Sequence, residues 1–231
     1  MKFNFLLFIF FISYFGFSQN SNSDKTELYK NYREDQFYAS VTYNLLNIKP
    51  SDVSQSGFSS GFHFGFIRDM PINDNRDFAF GLGMGISANS YNHNLRIEKS
   101  NNDFLYSIID ESEFNVSKNK FTTYLVEVPF EIRWRTSTPT EFNFWRIYTG
   151  FKVGYLFYNS TKYKSDAGSD NLSNIDNFNK FQYGLTLSAG YGTWNFHVYY
   201  GLNSIFDNNA ELNGEAIDMK SLKVGLMFYI L

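Results

Sequence analysis

Three histidines, His63, His93 and His197, are the side chains of this sequence best suited to moving protons near neutral pH. His93 stands in "SYNHN" (90–94), close to Ser87 and Ser90. A serine beside a base is the start of acyl-transfer chemistry, but an orienting third group must converge on the pair before it works. His63 and His197 alternate with apolar neighbours, a setting in which a packed, hydrogen-bonded histidine is the commoner outcome. The chain contains no cysteine. That excludes a thiolate nucleophile, a disulfide, a thiolate metal centre and lipid attachment at a cysteine. No phosphate-binding loop appears and no two histidines have metal-ligand spacing, so neither a metal nor a cofactor is expected. The acidic spots "DESE" (110–113) and "DNNAE" (207–211) read as solvated loop charge, since calcium needs converging oxygens.

The charges that demand an explanation lie elsewhere, in "YLVEVPFEIRWR" (124–135). Tyr124, Val126, Val128, Phe130, Ile132 and Trp134 fall on one parity, while Glu127, Pro129, Glu131, Arg133 and Arg135 fall on the other. A strand sends alternate side chains to opposite faces, so one face is apolar and the other mixes acids with bases.

Seven further segments repeat this two-faced pattern. They are "QFYASVTYNLL" (36–46), "GFSSGFHFGFIR" (57–68), "FAFGLGMGISAN" (78–89), "WRIYTGFKVGYLFY" (145–158), "FQYGLTLSAGY" (181–191), "WNFHVYYGLN" (194–203) and "SLKVGLMFYIL" (221–231). The links between them alternate in length. Residues 47–56, 90–120, 159–180 and 204–220 are long, whereas 69–77, 136–144 and Gly192-Thr193 are short. Eight alternating segments with long links on one side and short turns on the other are the signature of an outer-membrane barrel. The fold expected is therefore all-β, an eight-stranded antiparallel up-and-down transmembrane β-barrel occupying 36–231.

In such a barrel the apolar parity meets lipid and the charged parity meets the lumen. Glu127, Glu131, Arg133, Arg135, Arg146 and Lys152 then form a buried charge network, tolerable only if its members pair. Two acids against four bases leave an excess to be met by water or other polar groups. The network reads as a plug that closes the lumen to solutes. Trp134, Trp145, Trp194 and Tyr155 suit an interfacial girdle better than a ligand-stacking site. Pro129 lacks the N–H a closed ladder requires, so a bulge or a wet gap in hydrogen bonding is expected beside it.

At the N-terminus, Lys2 precedes an uncharged apolar run from Phe3 to Phe17, with small residues at Gly16 and Ser18. This describes a signal peptide over 1–18, with Gln19 starting the mature chain and a polar segment over 19–35. Without Lys2 the formal net charge moves from −3 to −4. So mild an acidity argues against nucleic acid as a partner.

"YREDQFY" (32–38), "SGFSSGFHFGFIRDMPIN" (56–73), "GLGMGISANSYN" (81–92) and "VEVPFEIRWRTSTPTEFNFWRIYTGFKVGY" (126–155) together resemble the PorT (SprT) proteins of Bacteroidetes. The resemblance is global and carries no short catalytic motif. It implies a non-enzymatic outer-membrane barrel that assists the type IX secretion system, which exports adhesins and proteases and supports gliding. Outer-membrane lipid and other components of that system would be its partners. The residues themselves leave two alternatives open, a free-standing structural or adhesive barrel and a lipid-modifying enzyme built on His93.

Overall fold

The computed structural model describes residues 34–101, 103–109, 115–136 and 143–230. The leader, most of the polar segment after it and the "DESE" spot lie outside the described residues.

Thirteen strands follow in order: β1 Gln36–Ile48, β2 Ser60–Pro71, β3 Phe78–Asn92, β4 Leu95–Ser100, β5 Asp103–Ile108, β6 Val116–Arg135, β7 Trp145–Ser165, β8 Gly168–Ser173, β9 Phe181–Tyr191, β10 Trp194–Gly201, β11 Glu211–Leu212, β12 Glu215–Ala216 and β13 Lys220–Ile230. Eight of them, β1, β2, β3, β6, β7, β9, β10 and β13, each pair with the next in antiparallel register, and β13 pairs back onto β1. Closure leaves no free edge among these strands, which satisfies the backbone where lipid offers no hydrogen bonds. Gly192 supports the tightest turn, holding φ 58 at the first of two turn residues between β9 and β10.

Alternation in the sequence becomes alternation in exposure. Phe37, Phe62, Phe64, Leu82, Met84, Ile86, Phe130, Ile132, Leu185 and Phe196 are all exposed. Their neighbours of opposite parity turn inward and are buried. A continuous exposed apolar belt of this kind would aggregate in water; in a bilayer it is the surface that meets acyl chains.

The ladder beside Pro129 is interrupted without a bulge. On the β3 side the pairing runs Leu82↔Phe130 and resumes at Gly85↔Glu127 in unchanged register, while on the β7 side Pro129 stays opposite Lys152. The missing N–H removes rungs but does not shift the register. The register shifts in this hairpin sit instead between Tyr124 and Leu125 and, near its tip, between Val116 and Lys118.

The long links differ from what their polarity suggests. β6 and β7 continue well above the belt, to Val116 and Ser165, and β8 pairs onto the β7 extension. Over the same end, Val53, Leu95, Ile97, Tyr106, Ile175, Phe178, Ile205, Phe206, Leu212 and Met219 pack with Tyr91, Leu125 and Leu156 into one apolar core. Phe121 is its hub. Its ring is fully buried and lies 4.9 Å from Tyr91, 5.5 Å from Phe178 and 5.5 Å from Phe206. The long links therefore build a folded cap across the mouth. "DNNAE" belongs to it: Ala210 is buried, and Asp207 accepts hydrogen bonds from Asn209.

Candidate functional site

Beneath the cap the lumen holds two charge centres. In the central one, the β6 side chain Glu127 takes three partners. Lys152 Nζ on β7 donates to Oε2 at 3.1 Å, Ser87 Oγ on β3 donates to Oε1 at 2.8 Å, and His63 Nδ1 on β2 lies 3.2 Å from Oε2. Lys223 on β13 is buried nearby, with its Nζ 4.7 Å from the Tyr199 ring centre. Alternation on five separate strands gathers these groups in the middle of the lumen.

The second centre lies towards the short turns. Arg135 grips Asp69 with both ends of its guanidinium, Nη1 to Oδ1 at 2.7 Å and Nη2 to Oδ2 at 2.8 Å. This two-pronged geometry is the strongest form of carboxylate recognition. Arg133 adds a bond to Asp69 at 3.1 Å and reaches Glu131 through Nε at 3.0 Å. Its guanidinium also lies 4.6 Å from the Tyr148 ring centre. Among the described residues, Arg146 has no carboxylate partner. It is buried, its Nε and Nη1 make no hydrogen bond, and its charge rests 4.4 Å from the Phe144 ring centre and 5.3 Å from that of Tyr229. Aromatic faces attract a cation, though less than an acid does.

Of the six lumen residues expected from the sequence, all are buried, but they do not form one network. Glu127 joins Lys152, Glu131 joins Arg133, Arg135 turns to Asp69, and Arg146 joins no acid. The expected excess of two positive charges needs correction. Buried Glu34 and Asp69 raise the acids to four, and Lys223 raises the bases to five. Asp69 falls at the start of the short link 69–77 yet shares lumen parity with His63, one alternating step beyond the segment 57–68. Lys223 carries the same parity signal on the last strand.

The inside is tightly filled. A Cβ built on Gly85 would lie 2.2 Å from Tyr38 Oη, and one on Gly81 would lie 2.7 Å from Arg133 Nε. Large side chains thus occupy the space that glycines on facing strands vacate.

The serine and histidine positions separate. Ser87 donates to Glu127, and Ser90 pairs with Thr122 at 3.4 Å. His93 accepts from the Leu95 N–H through Nδ1 at 3.1 Å and packs on Phe121. Burial in the cap drives its pKa down to about 3. It is a neutral, structural imidazole. The close serine–histidine contact is Ser188 Oγ to His197 Nδ1, at 2.7 Å, with both residues buried in the lumen.

Trp145 and Trp194 are exposed on the outer face beside the short turns, Trp145 against Tyr191 and Trp194 against Phe228. Trp134 pairs with Phe78 and Ile147 at the same end. Tyr155 lies in the opposite half, against Phe181.

Residues 17–207 match the family described as outer membrane protein beta-barrel domain. The chain belongs to this family. An outer-membrane location follows for a closed barrel with an apolar belt, its long links facing outward and its short turns inward. No curated protein matches the sequence. Among solved structures, the attachment invasion locus protein Ail of Yersinia pestis is similar at 13% identity and a TM-score of 0.32, covering 85% of this chain and 97% of that one. Ail in complex with the heparin analogue sucrose octasulfate gives 14%, 0.36, 86% and 99%. A triple mutant of the Rhodopseudomonas blastica porin gives 11%, 0.21, 86% and 100%. Likenesses of this size add nothing to what the barrel's own strands establish.

Proposed function

We propose that this outer-membrane barrel works by presenting surfaces to other proteins, as a non-enzymatic accessory component of the type IX secretion system. The observation that carries the first half is the filled lumen: two charge centres, glycine-seated tyrosine and arginine side chains, and an apolar cap leave the interior to side chains. Such a barrel serves a pore rather than being one. The second half rests on the resemblance to PorT proteins, which covers nearly the whole mature chain. In this reading 1–18 is the export leader, 19–35 a polar N-terminal segment, and Trp134, Trp145 and Trp194 anchor the inner edge of the belt while Tyr155 belongs to its outer half.

The lipid-modifying alternative gains little from the contact between Ser188 and His197. A nucleophile has to meet its substrate, and this pair lies under the cap with Tyr229 as its neighbour. A surface-adhesive role draws on a specific feature, the outward-facing cap with its own core, and stands as the second reading.

Deleting the gene in its own organism should abolish surface delivery of type IX cargo while leaving the remaining outer-membrane proteins in place. Complementation with Ser188→Ala and, separately, with His93→Ala should restore delivery in both cases. Normal cargo delivery in the deletion strain, with loss of surface attachment instead, would favour the adhesive barrel.

A further inference from the structure

Above the belt, the extension of the β6–β7 hairpin carries four lysines on its outward face. Lys118 stands directly opposite Lys164, and Lys120 directly opposite Lys162. Like charges placed opposite each other across strands destabilise a hairpin. Among the described residues, no acid stands in the same cross-strand rows. The row through Lys120 and Lys162 continues to Asn92 on β3 and Asn171 on β8, and the row through Lys118 and Lys164 continues to Ser169. Among the described residues, none of the four lysines forms an ion pair.

Height in the membrane gives the lysines a meaning. Trp134 at the inner edge and Tyr124 higher on β6 are about ten residue steps apart, roughly 34 Å along the strand at about 3.4 Å per step. A tilt of about 40° reduces this to roughly 26 Å, the height of the apolar band of such barrels. Tyr124, packed on Tyr158 and Phe157, therefore marks the outer edge of the acyl region. The lysines begin one turn of alternation beyond Thr122 and Ser160, in the zone of lipid headgroups. They share the parity of the lipid-facing side chains and so point sideways into that zone instead of up into solvent.

Beside them lies a cleft of about 250 Å³, walled by Ser56, Phe58, Asn92, Asn94, Lys118 and Asn119. Its walls are fixed, because Asn92 Nδ2 donates to the Phe58 carbonyl and Asn119 Nδ2 to the carbonyls of His93 and Leu95. Phe58, 69% exposed, offers a flat apolar floor at the belt's edge. The outer leaflet of an outer membrane is built of lipopolysaccharide, whose lipid anchor is a phosphorylated disaccharide. A polar cleft with an aromatic side, flanked by unpaired ammonium groups at headgroup height, is complementary to such a group.

We infer that the Lys118, Lys120, Lys162 and Lys164 quartet, with the adjoining cleft, is a binding site for the phosphorylated disaccharide headgroup of lipid A in the outer leaflet. The phosphates separate the opposed lysines electrostatically, and the cleft receives the sugar. This inference is independent of the export reading, since any protein anchored in that leaflet could use such a clamp.

The test uses the full mature barrel in detergent micelles, titrated with fluorescent bisphosphorylated lipid A, with the same lipid lacking phosphate, and with a soluble sulfated polysaccharide. The wild type should bind the bisphosphorylated lipid by at least about tenfold more tightly than the dephosphorylated one, with affinity falling as salt rises. The fourfold variant K118Q/K120Q/K162Q/K164Q should lose that preference, and the fourfold arginine variant should keep it. Migration of unboiled and boiled samples on a denaturing gel verifies that each variant is folded. Equal binding of both lipids by the wild type, or unchanged preference in the folded glutamine variant, overturns the proposal. So does binding of the soluble sulfated polysaccharide without discrimination between the lipids, which would make the patch a receptor for extracellular polyanions.

Discussion

At the scale of single residues, Asp69 organises the inner half of the lumen. It has no exposed surface, and two guanidinium groups converge on its carboxylate. Removing one partner from a buried ionic cluster strands the others without water, which costs about 3–5 kcal/mol. Asp69→Ala should therefore lower the barrel's melting temperature markedly, while Glu215→Ala, on the exposed β12, should leave it unchanged. Thermal unfolding followed by the strand signal in circular dichroism distinguishes the two; equal small effects would mean that Arg133 and Arg135 are hydrated. Arg146 shows what pairing rules alone do not foresee. A buried cation can rest against Phe144 and Tyr229 rather than an acid, and parity along one strand contains no trace of rings contributed by others.

At the scale of elements, the cap behaves as a small soluble core placed on a membrane barrel. His93 is held neutral inside it, its pKa lowered to about 3 by burial, against about 6.5 in an unfolded chain. The unfolded form takes up a proton first as the pH falls. His93 thus contributes stability that is complete above about pH 6.5 and drains away between about 6.5 and 3. Protection factors of the Leu95 and Ile97 amides, corrected for the intrinsic exchange rate at each pH, should fall from pH 7.5 to pH 5, and His93→Gln should blunt the fall. Protection factors indifferent to pH in the wild type would place His93 in water. The barrel strands were readable because lipid on one side and a packed lumen on the other enforce a strict period of two. Their order followed from link lengths. The cap was not readable in this way. Its apolar residues, such as Val53, Ile175 and Met219, are scattered singly among polar neighbours, and they acquire a common core only when four links meet above the mouth. Phe121 falls between the long link 90–120 and the alternating segment 124–135, because its strand continues beyond the belt, where the lipid-facing alternation gives way to lysines.

At the scale of the whole molecule, the two charge centres and the cap act in series along one axis. The inner centre closes the end near the short turns, Glu127 and its partners occupy the middle, and Phe121 with its neighbours closes the mouth. The proposed accessory role depends on that closure, because a protein without a passage must act through its outer face, its turns or its cap. The most direct test is conductance across a planar lipid bilayer after reconstitution of the folded barrel, with folding confirmed by the gel shift on boiling. The filled lumen predicts a flat baseline with no discrete steps, in the wild type at neutral pH and in the Lys118, Lys120, Lys162 and Lys164 glutamine variant alike. Stable single-channel steps from the wild type would contradict the account and make the lumen a path.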